Sequence, residues 1–592
     1  LNFSWERDGC RKCGRPLKVR LTRTREVVSL AYGKLVAIER QGYCPKHPRQ
    51  SPARSDKLLR LVAPGCNIAY DVIAYVGCAR YLECRQGEEI QHELARRGIE
   101  LSLRTISELN QKFVALVEVV HRESIPLLRR EMRGRGGYIL HIDGTCEEGS
   151  RVLLVCLDSL SGQVLESRKI SSENRREVRA VLQRVRRDWG VPLAIVHDLR
   201  ASLMQAAGEV FSGVPQFVCH FHFAADVGKD LLSSHVDRLR RLFRRTRLRP
   251  KLRILCRAFK PCAATSENGP PIVSSLLEAI STRQLRALST PQAIQGMVHA
   301  LSSWILAFSH NGEGYGFPFD VPYLTLYERI LEVHTILHQV RATDSMKKRG
   351  PLGPLLRLKE ILDLVVDSPD TDECRAIVSD LKRDQQIFQR LRHALRICPS
   401  GGRHGRNDEG DSRALSSRRH QAILQELRDS LQRKRGASRK ACQVVVTHLD
   451  KYWSYLFGHV LTNRTGRIVV PRTNNIEESL FRTIKRQCRR LHGRGHLSRD
   501  LDQMLEATPL VLNLKNASYC ETVYDGTNVD NLATRFSLVD SKKPAQLLKR
   551  WRQDKTSIRL PRKYERSKDL PKQLARFINV AINHLRTKRK ST

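Results

Sequence analysis

The chain has 592 residues, with 104 Lys and Arg against 61 Asp and Glu, for a formal net charge of +43. That length is too great for one hydrophobic core, so roughly three to five domains are expected. The charge points to a polyanionic partner, because each neutralised phosphate releases condensed counterions. A merely basic, ribosome-like protein is the plainer alternative. No run of about 18 apolar residues occurs, which argues against a membrane span. Charge and cysteine stand where a signal peptide would carry its apolar stretch. The expected location is therefore cytoplasmic, on the DNA of the nucleoid. The first residue is Leu rather than Met, as a non-standard start or a truncated end would give. The 16 cysteines suggest reduced thiols and metal ligands rather than disulfides.

Residues 1–50 carry Cys10 and Cys13, then Cys44 and His47. Between them lie three strand-like runs, at 17–22, 26–31 and 34–40. Two such knuckles flanking a small ribbon fit a tetrahedral Zn²⁺ site of three thiolates and one imidazole. A metal staple is sensible because so short a segment buries little core. After a Pro, Ser and Arg linker, residues 57–133 read as a helical module. A helix over 87–97 ends at Gly98, and Ser102 can cap a second helix from Leu103 to about Phe113. The pair suggests a helix-turn-helix with Arg104 and Thr105 at the start of the DNA-reading helix, or an ordinary helical hairpin.

Residues 138–143 form an apolar run ending in Asp143 and a glycine turn, as a buried strand delivering an acid would. Strands at 151–158 and 163–170, a helix at 174–189 and a strand at 193–196 running into His197 and Asp198 follow. A further helix and a fifth strand lead to Cys219-His-Phe-His222, whose spacing allows a metal or DNA role or plain packing at the strand end. A helix through Leu232 closes this first α/β part, 138–235. Glu147, Glu148 and Asp158 are also available as acids but occupy loop and strand-end positions that suit solvent.

Residues 236–460 read as a basic, all-helical insertion. Its first stretch includes Arg244 and Arg245 in a run of like charges that a phosphate track would relieve. Residues 399–417 read as a loop or linker. The α/β part resumes over 461–530, where Asn474 and Asn475 can cap a helix bearing Glu477, Glu478, Arg482, Lys485 and Arg486. A Lys- and Arg-rich tail, 531–592, would grip DNA or be disordered.

Mg²⁺ or Mn²⁺ takes oxygen ligands, and a pair of such ions suits phosphodiester chemistry. Asp143 and Asp198 meet only if the first and fourth strands are neighbours, as in a ribonuclease-H-like sheet, with the third carboxylate on a packed helix. These residues resemble a DDE-type insertion-sequence transposase with a helical insertion, in the broad group that includes Mutator-like elements. The resemblance rests on His-Ile-Asp143-Gly-Thr, Val-His-Asp198-Leu-Arg, Cys219-His-Phe-His222 and Thr473-Asn-Asn-Ile-Glu-Glu478. In that group the catalytic Glu precedes Arg by four residues and Lys by seven, which selects Glu478 through Arg482 and Lys485, with Glu477 as the register alternative.

The resemblance covers roughly 138–235 and 465–515. It implies a multidomain α/β protein whose ribonuclease-H-like catalytic core is split by the all-α insertion and preceded by a zinc ribbon and a helix-turn-helix-like module. It further implies Mg²⁺- or Mn²⁺-dependent cutting of double-stranded DNA ends and 3′-OH strand transfer by Asp143, Asp198 and Glu478. A homo-oligomer is expected, since two ends must be paired. The plainer readings make Asp143 and Asp198 strand-end turn residues, and Glu477 and Glu478 first-turn acids that complement the helix dipole. A DNA-binding regulator or domesticated relative without chemistry, and a stand-alone nuclease, compete at the level of function.

Overall fold

The structure is a computed structural model. It describes residues 1–260, 291–310, 312–338, 350, 352–367, 369, 371–397, 417–463 and 466–554, with isolated positions between 569 and 580. The expected linker at 399–417, apart from Ser417 at a helix start, residues 261–290 of the expected helical insertion and half of the expected tail 531–592 lie outside the described residues. The protein is mixed α/β, rich in helix, with three sheets among the described residues.

The N-terminal ribbon has strands β1 (Asn2–Phe3), β2 (Lys18–Ser29) and β3 (Gly33–Tyr43), and β2 and β3 form one long antiparallel hairpin. The three strands expected from punctuation are two, because the polar Thr22–Arg25 stretch continues β2 instead of turning. A ribbon largely exposed along that stretch tolerates polar residues without a break. Helices α1 (Asp56–Leu61), α2 (Tyr70–Tyr81), α3 (Gly87–Arg96) and α4 (Leu103–Gly134) follow. Ser102 caps α4 as expected, accepting the Thr105 N–H at 3.1 Å. The helix does not stop near Phe113 but runs for 32 residues. Phe113, Val117, Val120 and Leu128 are buried in the same core as the central sheet, so tertiary packing carries the helix through Pro126, which removes one helical hydrogen bond, as far as Gly134.

That sheet comprises β4 (Ile139–Thr145), β5 (Val152–Asp158), β6 (Gln163–Ile170), β7 (Ala194–His197) and β8 (Gln216–Val218), in the order β6-β5-β4-β7-β8. The first three strands are antiparallel neighbours, whereas β4 pairs with β7, and β7 with β8, in parallel. Every residue of β5 is buried, as a strand covered on both faces requires. Helix α5 (Arg175–Trp189) starts at Asn174, whose side chain accepts the Glu177 N–H, and ends at Gly190 with φ of 88°. Helix α6 (Ala201–Val210) returns the chain to β8.

Helix α7 (His220–Arg245) extends well past Leu232 and carries the chain from the sheet into the insertion without a break. Its one glycine, Gly228, is a close-packing point, since a Cβ there would lie 2.6 Å from Pro318 and 2.8 Å from Phe388. With α8 (Leu248–Ala258) and the helices from Pro291 to Tyr452, α7 builds a second apolar core distinct from that around the sheet. The chain returns through a small hairpin, β9 (Val460–Asn463) with β10 (Gly466–Val469), to the helix Asn475–His492.

The start of the basic tail is not a loose arm: Lys542–Asp554 is a helix docked on α4, with Trp551 buried and donating to Glu506 at 3.1 Å. Burial of Trp551, with Leu547 and Leu548 packed on the same core, outweighs the preference of the surrounding Lys and Arg for solvent. Among the described residues no helix is long and apolar enough to cross a membrane.

Candidate active site

In the parallel β4–β7 pair, Ile142 stands opposite His197, so Asp143, still within β4 and opposite Val155 of β5, lies beside Asp198, the first residue past the end of β7. Asp143 accepts the Gly144 N–H at 2.7 Å, and Asp198 accepts the Leu199 N–H at 2.6 Å. Burial raises the Asp143 carboxyl to about 6; the neighbouring His222 opposes the rise, and Asp198 and Glu478 add to it. The third element is the helix Asn475–His492, entered through a buried segment pinned at three points. The His220 N–H donates to the Arg472 carbonyl at 2.8 Å. The Asn474 N–H donates to Cys219 Sγ at 3.4 Å, and Asn474 Oδ1 pairs with His141 Nδ1 at 3.2 Å. Asn474 holds the N-cap position as expected, but its side chain makes no capping bond and serves the strand instead. Asn475 is the first helical residue and is exposed.

The two candidate glutamates differ in surroundings. Glu478 is partly exposed and lies 3.9 Å from His222 Nε2, while His222 Nδ1 lies 3.6 Å from Asp198. Glu477 is fully buried with neither carboxylate oxygen hydrogen-bonded; burial first, then Asp143, Cys219 and Glu478, push its carboxyl well above the usual range. Burial draws His222 down, but the Cys219 sulfur, Asp198 and Asp143 carry it up to about 10. The spacing of Cys219 and His222 thus has two uses: the sulfur receives the entering segment and the imidazole faces two acids.

Sequence reasoning passed over Glu173, which stands just before α5 like an ordinary loop acid. Its carboxylate is buried, pairs with Arg200 and lies over Gly144, where a Cβ would meet its Oε1 at 2.1 Å. Arg200 also approaches Asp198 at 3.7 Å. No sequence pattern marks Glu173; only the closeness of a glycine to an acid on another segment reveals it. Asp158, expected to face solvent, is buried and holds the β5–β6 turn by accepting from Leu160 N–H and the Ser161 hydroxyl. Glu147 accepts the Leu497 N–H, and Glu148 lies in the loop between β4 and β5.

In the N-terminal ribbon, Cys10, Cys13, Cys44 and His47 converge. Cys10 Sγ and Cys44 Sγ lie 3.6 and 3.7 Å from His47 Nδ1, and Cys13 Sγ lies 3.7 Å from Cys44 Sγ. A zinc ion bound at about 2.3 Å sets ligand separations of roughly 3.7 Å around a tetrahedron, so this cluster could hold zinc as it stands. The Lys12 N–H donated to Cys10 leads the contacts that bring this thiol down to about 6, which favours the ligating form.

Only this cluster and His334, Asp363 and Asp367 in the insertion have, among the described residues, ligand atoms all within 4.8 Å of one another. Asp143, Asp198 and Glu478 are not so tightly drawn; the His222 ring lies between the last two.

The basic residues fall in three places. Arg104 is exposed and pairs with Glu108 at 3.1 Å, while the Thr105 hydroxyl meets Ser102 at 2.9 Å within the capping turn. Arg482 and Arg486 are exposed on the helix of Glu478, with Lys485 half-buried beside them. Arg244 is exposed near the end of α7, and Arg245 pairs with Glu373 at 3.0 Å. The chain matches no model of a known protein family, and no curated protein matches it.

Proposed function

We propose that this chain is a DDE-type transposase with a ribonuclease-H-like core, which binds element ends and cuts and joins double-stranded DNA. The observation that carries the reading is the placement of Asp143 beside Asp198 where the parallel β4–β7 pairing ends, with Glu478 brought to them through His222. Three carboxylates form a donor set suited to hard divalent cations, which take oxygen ligands; burial holds Asp143 up at about 6, and a cation there would favour its ionised form. Mg²⁺ or Mn²⁺ bound there would activate the attacking oxygen and stabilise the leaving one.

The protein's own part is positioning. Asp143, Asp198 and Glu478 would hold the cations, and Glu477, buried beneath them, is the alternative third ligand. Arg482, Arg486 and Lys485, on the helix that carries the third acid, would seat the DNA backbone against them. Arg244 and Arg104 extend basic surface along the insertion and the helical module. The zinc-bound ribbon would brace the N-terminal end. Pairing two ends calls for at least a dimer, and the expected location is on nucleoid DNA.

One observation favours a second reading, a DNA-binding relative that does not cut: His222 lies between Asp198 and Glu478 where a cation would be expected. The test is cleavage and strand transfer on DNA carrying the native flanking repeats, with Mg²⁺ or Mn²⁺. Loss of chemistry with retained DNA binding in Asp143→Asn, Asp198→Asn and Glu478→Gln supports the transposase. A dead Glu477→Gln beside an active Glu478→Gln moves the third ligand by one residue. Wild type that binds the ends and never cuts gives the second reading the lead, and cutting of any duplex without end preference points to a nuclease.

A further inference from the structure

The β2–β3 ribbon has one covered face and one bare face. Inward, Val27, Leu35 and Ala37 pack with Leu58, Val62 and Ala69, and Arg25 donates to the Cys66 carbonyl at 2.6 Å. Outward, Thr22 stands opposite Arg40 and Thr24 opposite Ile38, and Thr22, Thr24 and Arg40 are exposed. Val36, further along that face of β3, is 47% exposed. Arg20 is the extra residue where the register shifts between Val19 and Leu21, and such a bulge increases the twist of a ribbon.

The charge on this ribbon is one-sided. Glu39 is held by Arg54 at 2.9 Å, Glu26 pairs with Lys34 at 3.1 Å, and Glu6 accepts from the Asp56 and Lys57 N–H groups at the start of α1. Of the acids in residues 1–50, that leaves Asp8. Lys18, Arg20, Arg23 and Arg40 are exposed and, among the described residues, have no ion-pair partner. Like charges so placed repel one another, and a row of phosphates removes the repulsion while releasing counterions. The shape selects the polyanion. With 12 and 11 residues, β2 and β3 extend about 35–40 Å at roughly 3.3 Å per residue. A DNA major groove about 12 Å wide admits a two-stranded ribbon, and threonine there can bond base edges or touch a thymine methyl.

We propose that the outward face of the β2–β3 ribbon enters the major groove of duplex DNA. Thr22 and Thr24 meet base edges, and Arg20, Arg23 and Arg40 meet the flanking phosphates. The choice of partner rests on the DNA-processing reading, but binding is measured without cleavage, so the two can fail separately.

The experiment is fluorescence anisotropy of the full chain without added Mg²⁺ or Mn²⁺ on two short duplexes, one from the sequence flanking the coding region and one scrambled. Arg20→Gln, Arg23→Gln and Arg40→Gln together should lower the slope of log affinity against log salt by about 2.7 on both duplexes, at roughly 0.9 per contact. Arg20→Lys, Arg23→Lys and Arg40→Lys together should keep the slope. Thr22→Val with Thr24→Val, which removes both hydroxyls at nearly constant shape, should weaken the flanking duplex about tenfold and leave the scrambled one unchanged. Zinc content and hydrogen-exchange protection of β2–β3 check that each variant folds. An unchanged slope in the glutamine variant overturns the proposal. So does the same loss of slope on an RNA duplex, whose deep, narrow major groove excludes a ribbon. A loss seen on polyglutamate or on phosphatidylserine vesicles but not on DNA assigns the face to another partner and overturns it equally. Wild type that binds both duplexes alike counts against recognition of element ends, while the slope still decides the ribbon.

Discussion

Asn474 Oδ1 lies 3.2 Å from Nδ1 of His141, joining residues 333 positions apart. His141 is on β4, two residues before Asp143, and Asn474 immediately precedes the helix that carries Glu477 and Glu478. This bond ties the two halves of the candidate site, separated in sequence by the whole insertion. His141 Nε2 has no other partner, so Asn474→Leu would strand a buried imidazole. The expected cost is about 1–3 kcal/mol in chemical unfolding, with Asn474→Asp milder. Equal stability of Asn474→Leu and wild type would show that the helix is held by packing alone.

Gly144 follows Asp143, and a Cβ there would lie 2.1 Å from Glu173 Oε1 and 2.9 Å from Val152. Gly144→Ala should therefore destabilise by about 1–3 kcal/mol. Adding Glu173→Ala should return part of that loss, because the acid is the nearer obstacle. A double variant no better than the single one would place the conflict at Val152 instead.

The ribbon's three cysteines and one histidine should yield about one zinc per purified chain by elemental analysis. Chelation, or Cys13→Ser, should abolish hydrogen-exchange protection in the β2–β3 hairpin at its knuckle end while leaving β4–β7 protected. The sheet belongs to a separate core, so simultaneous loss of protection in both would contradict that independence.

His121 is fully buried between Tyr519 (3.0 Å) and the Leu165 carbonyl (3.2 Å), and burial first, then Arg122, lowers it to about 4. The neutral ring can donate to the carbonyl and accept from the tyrosine, whereas a protonated one loses the acceptor. Between pH 6.5 and 4 the unfolded chain takes up the proton and the folded chain does not. The stability present above pH 6.5 should thus fall as pH drops through this window, by up to about 3 kcal/mol from this group. Urea midpoints for wild type and His121→Gln across the window check it; parallel profiles would remove His121 as a source.

Arg482 and Arg486 are exposed on the helix of Glu478, so each should contribute one phosphate contact if that face meets DNA. Replacing both by Ala should reduce the slope of log affinity against log salt by about 1.8 in total, at roughly 0.9 per contact. An unchanged slope would move the DNA to another surface, with the α7–α8 arginines the next to test.

Much of this was legible in the sequence because it is local. The length of apolar runs marked β4 to β8 nearly to the residue, and Gly98 and Ser102 announced the end of one helix and the start of the next by signals that need only their neighbours. The knuckles of Cys10 and Cys13, and of Cys44 and His47, were readable because ligand spacing is itself local. Where a helix continued by burying itself against distant residues, as α4, α7 and Lys542–Asp554 do, local signals stopped short.

The sequence by itself determined the charge, the strands and the types of acid available, since these follow from composition and short-range periodicity. Tertiary structure alone decided that β4 lies beside β7, because strand pairing joins segments that share no local signal. It alone also placed Glu173 over Gly144, turned Asn474 from a helix cap into a partner of His141, and set the His222 ring between Asp198 and Glu478.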